Sequence, residues 1–317
     1  MSALLLPVGA QAFEITPNVS RVLSDPSYLP FGAQFYGSTE YSYGNTSSTT
    51  NNYLNTLTKT NSTPSNTIHQ ILEYGLTSDF TLRVSDSYEW LTSTTTDTAG
   101  NNTVTNSYGF DDSAFGATWR VLDAQDHGFN FDFIGSYAPN FISAQSATTT
   151  NNGNIARGGD TATLGSALSY KGEDFTLYLE YSATYLDNRA VVNPTTQVTT
   201  NSNSSWQYEF LISTQTRLSY DWSINLTFAQ TYNDNVSNSY LNGNTLTTYT
   251  LVPGNVTDLL GALNFHVVPN RFVISAVYNH DFYTNGSSTF STQPNSNTTT
   301  LNKGEDVFSG ELRYVFN

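Results

Sequence analysis

Phe175-Thr-Leu-Tyr-Leu-Glu-Tyr-Ser-Ala-Thr-Tyr185 alternates without a break. Phe175, Leu177, Leu179, Tyr181, Ala183 and Tyr185 share one face, and polar residues dominate the other. Successive strand side chains point to opposite faces, so this is a strand with one apolar and one wet side. A helix would place its apolar residues three and four apart, and no such period competes.

The same texture spreads outward from this stretch. Trp222, Ile224, Leu226, Phe228 and Tyr232 oppose Ser223, Asn225, Thr227 and Thr231. Trp206, Tyr208, Phe210, Ile212, Leu218 and Tyr220 oppose Gln207, Glu209, Gln215 and Arg217. The chain closes with Phe308, Gly310, Leu312, Tyr314 and Phe316 set against Ser309, Glu311, Arg313 and Val315. Between such segments the connectors alternate in length. Gly75–Asp79, Leu122–Gly128, Lys171–Asp174, the surroundings of Asp221, and Val268–Arg271 are short. Asn45–Ser65, Thr95–Asn106, Ala144–Gly158, Val191–Ser204, Ser237–Leu251 and Asn285–Lys303 are long and rich in Asn, Thr, Ser and Gly. These five short and six long connections join twelve strands.

An even number of antiparallel strands closes into a barrel without an unpaired edge. The expected fold is therefore all-β: a closed antiparallel up-and-down transmembrane β-barrel of about 12 strands. Small soluble barrels are apolar inside, whereas membrane barrels reverse this. A strand rising about 3.3 Å per residue and tilted about 40° needs roughly ten residues to cross an apolar band about 25 Å tall. The segments have that length, and aromatics such as Phe175 with Tyr185, or Trp206 with Tyr220, gather at their ends as interfacial girdles do. A soluble sandwich or solenoid is the alternative. It leaves unexplained why nearly all charge lies on one face of each strand.

Composition narrows the function. The net charge of −15 opposes a phosphate-binding surface and so excludes nucleic acid as a partner. Only 12% of residues are charged while 14% are aromatic, which argues against disorder as well as against an ordinary soluble domain. With no cysteine, disulfide scaffolds and Cys-based metal sites are out. Residues 1–12 read as the remnant of an export signal ending in Ala10-Gln11-Ala12, with cleavage before Phe13. Residues 13–28 form a segment in the periplasm or folded into the lumen, and 29–317 the barrel.

Assigning each polar face to the lumen gives the expected pore lining: Glu73, Arg83, Arg120, Asp132, Glu180, Glu209, Arg217, Glu311 and Arg313. Gln34, Tyr36, Glu40, His69, Glu89, Gln215, Asp258, Asn279 and Asp281 share that face. The arginines lie near short turns or the C-terminus, hence at similar depth. Two readings stay open. One is a charged constriction that orients a passing solute. The other is a mutually satisfied network that stiffens or plugs the barrel. Twelve strands give a backbone diameter on the order of 24 Å, room for a monoaromatic or a short sugar. Asp86 alone breaks the scheme by falling on the lipid face, which calls for a bulge or a place near the headgroups.

Nothing in the sequence points to an enzyme or a cofactor. His69, His127, His266 and His280 lack metal-ligand spacing, and His280-Asp281 has no serine nucleophile motif beside it. Asp111-Asp112 sit on opposite faces and cannot chelate together.

Several stretches resemble the outer-membrane β-barrel family named for the meta-cleavage pathway of phenol degradation. They are Glu73-Tyr-Gly-Leu-Thr-Ser-Asp-Phe-Thr-Leu82, Phe110-Asp-Asp-Ser-Ala-Phe-Gly-Ala-Thr-Trp-Arg-Val-Leu-Asp123, Arg157-Gly-Gly-Asp-Thr-Ala-Thr-Leu-Gly165, and the Asp25-Pro…Leu29-Pro run before the first strand. The resemblance implies a transporter of small molecules, aromatic ones among them, with no catalytic residues to transfer. The expectation is an outer-membrane channel for passive uptake of small solutes. A closed structural or adhesive barrel acting through its long loops is the alternative. The expected partners are the solute, outer-membrane lipids and lipopolysaccharide, and the barrel-assembly machinery through the C-terminal strand that closes with Phe316.

Overall fold

The computed structural model describes residues 23–316 apart from 244, 269 and 292–295. The expected signal remnant and residues 13–22 lie outside the described residues. The chain runs as β1 (Phe35–Asn52), β2 (Leu57–Gly75), β3 (Phe80–Asp97), β4 (Asn102–Phe110), β5 (Ala114–Leu122), one helical turn α1 (Ala124–His127), β6 (Phe129–Ala138), β7 (Ala144–Gln145), β8 (Thr161–Lys171), β9 (Phe175–Leu186) and β10 (Arg189–Val192). It continues as β11 (Thr199–Ser202), β12 (Ser205–Arg217), β13 (Trp222–Asn233), β14 (Val236–Asn242), β15 (Thr245–Val252), β16 (Val256–Val268), β17 (Phe272–Tyr283), β18 (Gly286–Phe290) and β19 (Thr298–Phe316).

Twelve strands make the wall. β1, β2, β3, β5, β6, β8, β9, β12, β13, β16, β17 and β19 pair antiparallel in that order. β19 then returns to β1, with Phe35 opposite Phe316 and Tyr43 opposite Phe308, so the wall closes on itself. Large apolar side chains such as Trp119, Leu226, Tyr170 and Phe308 are exposed on the outside, while Asn130, Asn264, Ser223 and Ser275 are fully buried within. This is the inside-out arrangement of a barrel whose surroundings are hydrocarbon. Rings meet in pairs near both ends of the wall: Trp222 with Phe265 and Tyr314 with Phe316 (both at 4.8 Å) near the short turns, Tyr88 with Phe110 (4.9 Å) and Tyr185 with Trp206 (5.2 Å) at the other end.

A second tier stands on this wall. From β19 the ring continues through β18, β15, β14, β11 and β10. β7 then lies parallel to β10, and Gly153 bridges to Ser107 of β4. The segment 144–158 thus fills the place where β6 and β8 have no continuation. Strands break between the tiers at 187–188, 203–204, 234–235, 253–255 and 284–285. Asn and Thr side chains there satisfy backbone groups the ladder has released: Asn188 Oδ1 accepts from Ser204 N (2.8 Å) and Thr284 Oγ1 from Asn255 N (2.7 Å).

The upper tier corrects the expectation of six long loops. Most of the Asn45–Ser65 connector is strand, with β1 and β2 paired as far as Asn51 opposite Leu57. β3 and β4 likewise pair up to Thr96 opposite Asn102. β-Branched threonine suits a pleated strand even where both faces are wet, and two wet faces erase the apolar alternation that marks a strand in sequence. Among the described residues 144–158 remains the longest irregular stretch, with 193–198 a shorter one. No bulge on its own strand accommodates Asp86. β3 passes it in unbroken register, with Gln70 opposite, and the irregularity sits across the ladder at 111–113, where β4 gives way to β5. Asp86 Oδ1 is buried there without a hydrogen-bond partner.

Candidate functional site: a lumen with a floor

The sequence Leu23-Ser-Asp-Pro-Ser-Tyr-Leu-Pro30 pairs with no strand. It crosses the inside of the barrel at the short-turn end, with Leu23, Ser24, Asp25, Ser27, Leu29 and Pro30 buried. Side chains from distant strands hold it. The Asp25 carboxylate receives Lys171 Nζ at 3.0 Å, Thr176 Oγ1 at 3.1 Å, and both the backbone N–H and the hydroxyl of Ser27 at 2.8 Å. The Ser24 carbonyl accepts from Asn225 Nδ2 (2.9 Å), and its hydroxyl meets Gln215 Nε2, Ser223 Oγ (3.1 Å) and His266 Nε2 (3.4 Å). Arg120 donates to both Asp132 oxygens (2.8 and 2.9 Å) and, through Nη2, to the Ser27 carbonyl (2.8 Å). The wet face of the wall has become the socket of an inserted peptide.

One glycine lets the peptide leave the floor and become β1. Ala33 donates to the Gly75 carbonyl (2.7 Å) and Gly75 to that of Gln34 (3.0 Å). A Cβ at Gly75 would stand 2.2 Å from the Phe31 carbonyl oxygen, so only a residue without a side chain fits under this crossing.

The expected lining residues fall into separate pairs. Besides Arg120 with Asp132, Arg313 binds Glu311 through Nε and Nη2 (2.8 and 2.7 Å), and Ser38 Oγ donates to Glu311 Oε1 (2.6 Å). Glu73 and Arg83 approach to 4.0 Å. Glu180 accepts from Tyr178 OH (2.5 Å) and Glu209 from Thr231 Oγ1 (3.4 Å). Arg217 stands apart: it is exposed at the end of β12, its guanidinium 5.8 Å over the Tyr220 ring. Glu73, Arg83, Asp132 and Glu180 come together around a cavity of about 330 Å³ whose base is Pro26, Ser27, Tyr28 and Leu29. A wider cavity, about 480 Å³, opens inside the upper tier between β10, β11, β14 and β15.

Sequence reasoning missed Asp25 and Lys171 as partners, since one lies before the first strand and the other, the last residue of β8, reads as part of a short turn. An isolated buried-looking Asp-Pro ahead of the barrel is the signal that could have raised the question. His280 pairs with Asp306 (2.8 Å) across β17 and β19 rather than with the adjacent Asp281. Among the described residues no group of three or more His, Asp or Glu could hold a metal ion, and no helix is long and apolar enough to cross a membrane.

A closed twelve-stranded wall, apolar outside and polar within, defines the fold as that of an outer-membrane β-barrel. No family model matches the sequence, and no curated protein matches it. Among solved structures the chain is similar to an outer membrane channel from Pseudomonas putida F1, at 13% identity over 92% of this chain and 99% of that one, with a TM-score of 0.58. It is also similar to the transport unit of the autotransporter AIDA-I from Escherichia coli, at 11% identity over 88% and 89% of the two chains, with a TM-score of 0.53. At such identities the likeness is one of fold.

Proposed function

We propose that the chain is a bacterial outer-membrane channel for passive uptake of small solutes, aromatic compounds among them. Short turns face the periplasm and the upper tier faces the exterior. The observation that carries this reading is a polar interior with room for a small molecule, closed at one end by a peptide that belongs to no strand. A solute moves down its own gradient, so no cofactor enters. The exposed aromatic rings lie in lipid and lipopolysaccharide, and β19 is the strand offered to the barrel-assembly machinery. Glu73, Arg83, Asp132 and Glu180 line the path just above the floor, and the Arg120–Asp132 pair sets how firmly the floor is held.

Liposome swelling tests the reading, with small neutral solutes and two proteins: the full chain and a chain lacking residues 13–28. Swelling by the truncated chain that exceeds swelling by the full chain supports a channel with a movable floor. No flux through either sinks the channel and leaves a closed barrel that acts through its external loops.

A further inference from the structure

The upper tier holds two arginines in a chain where acids outnumber bases 26 to 11, yet neither forms an ion pair among the described residues. Arg157 and Arg189 line the same cavity of about 130 Å³ at the junction of the tiers. Arg189 donates to Ser202 Oγ (3.2 Å), and Arg157 Nε is buried with no hydrogen-bond partner. Among the described residues, no carboxylate lies within ion-pair distance of either guanidinium. Asp187 and Asp234 also line this cavity without forming an ion pair with either arginine, and the Asp187 carboxylate accepts from Asn188 N (2.7 Å) and Tyr185 OH (3.4 Å). Arg157 belongs to the 144–158 segment, outside the membrane-spanning strands. There, burial and then the Arg189 charge hold its guanidinium below the usual arginine range, with Asp111 opposing them.

Both side chains are half-buried, and leaving the buried Nε of Arg157 unpaired is costly, with the Arg189 charge adding repulsion. The backbone nevertheless enforces the arrangement. Gly158 has φ +82°, and a Cβ there would meet the Ala190 carbonyl oxygen at 2.6 Å. Ala190 N donates to the Gly158 carbonyl (3.1 Å), and β7 lies parallel to β10 with Ala144 opposite Val191. The segment is fixed from within by Asn154, whose side chain bonds Gln145 N and the Ser143 carbonyl, both at 2.8 Å. Two cations thus line one cavity before any ligand arrives. That is how planar, bidentate recognition of a carboxylate is prepared.

Arg189 also lines the adjoining 480 Å³ cavity, whose wall carries Tyr240 and Tyr249. Tyr249 stacks on Phe290 (5.0 Å, 25°) and meets Tyr240 at 6.4 Å, so three rings stand together on adjacent strands. A volume of this size lies within the range of small-ligand sites. We propose that Arg157 and Arg189 form a capture site at the mouth of the barrel for a small ring-bearing carboxylate, its carboxylate on the two guanidinium groups and its ring against Tyr249. The inference names a substrate class for the channel and rests on the channel reading for its purpose, though the binding event does not.

Titration calorimetry on the full chain in detergent micelles tests it, with benzoate, methyl benzoate and acetate as probes. Benzoate binds more tightly than methyl benzoate or acetate by at least about tenfold, the equivalent of one charge-assisted hydrogen bond or one ring contact. An Arg157→Gln/Arg189→Gln double variant abolishes the advantage over methyl benzoate, and Tyr249→Leu abolishes the advantage over acetate. Wild-type protein that binds benzoate no better than methyl benzoate overturns the proposal, and that comparison needs no variant to fold. A preference for benzoate that survives in the double variant overturns it equally. Swelling with neutral solutes reads the channel separately, so a barrel that binds benzoate but conducts nothing contradicts the channel and not the site.

Discussion

Arg120 and Arg157 are two arginines of one barrel in opposite circumstances. Arg120, near the short turns, is buried and satisfied by both oxygens of Asp132 and by the Ser27 carbonyl. Arg157, near the mouth, has a buried Nε with no partner and a second arginine beside the same cavity. At the floor, the polar groups of the wall are matched by polar groups of the inserted peptide, and the outcome is closure. At the mouth, among the described residues, neither arginine forms an ion pair, although Asp187 and Asp234 line the same cavity, and the proposed ligand would supply the missing partner. On the proposed reading, the contrast separates a network that holds structure from one that would receive a solute, although both arginines belong to a chain with a net charge of −15.

The largest test of this contrast removes one partner from the floor. Breaking a buried ion pair costs about 3–5 kcal/mol, because the remaining charge is left uncompensated. Lys171→Met leaves Asp25 in that state and is expected to raise the open probability in planar bilayers by more than about a hundredfold, the equivalent of that cost in population. An unchanged open probability would show that the Asp25–Lys171 pair does not hold the floor. A second test reads stability rather than flux. Arg120→Ala should lower unfolding stability in urea by about 3–5 kcal/mol, whereas Arg120→Met combined with Asp132→Leu should cost far less, since no charge is stranded. Arg157→Gln is the counterpart at the mouth and should change stability by no more than about 1 kcal/mol, because no pair is broken. If it destabilises as much as Arg120→Ala, the distinction between the two regions fails. A reference effect belongs to neither region. Asn55 turns the β1–β2 tip at φ +57°, and Asn55→Ala should shift the urea midpoint by the equivalent of about 1 kcal/mol, a scale against which the others are read.

Legibility in the sequence followed the solvent. Wherever a strand has lipid on one side and water on the other, as in 175–185 or 222–232, alternation exposes it, and the twelve-stranded closed wall could be read directly. Above the lipid both faces are wet, so β10, β11, β14, β15 and β18 carry no apolar period and read as loops of Thr and Asn. The polar faces also put Glu73, Arg83, Asp132 and Glu180 at one depth, where they surround one cavity, without showing the partners of the other polar groups. That Glu311 joins Arg313 two positions along one strand is a local matter. That Asp25 finds Lys171 depends on a peptide threading back through the closed ring, and no strand pattern records such a path. Arg157 was hidden for the same reason: its place is set by how 144–158 stands in for a missing strand.

The seat of residues 23–30 inside the barrel is the claim on which the rest depends, and the chain offers a clean way to test it because it contains no cysteine. Ser24 and Ser223 are both fully buried, with their hydroxyl oxygens 3.1 Å apart. In a Ser24→Cys/Ser223→Cys variant the two thiols should oxidise to an internal disulfide, holding the reconstituted channel closed until reductant restores its conductance. Failure of the crosslink to form in the folded barrel, or conductance that is the same oxidised and reduced, would contradict a floor made by this peptide.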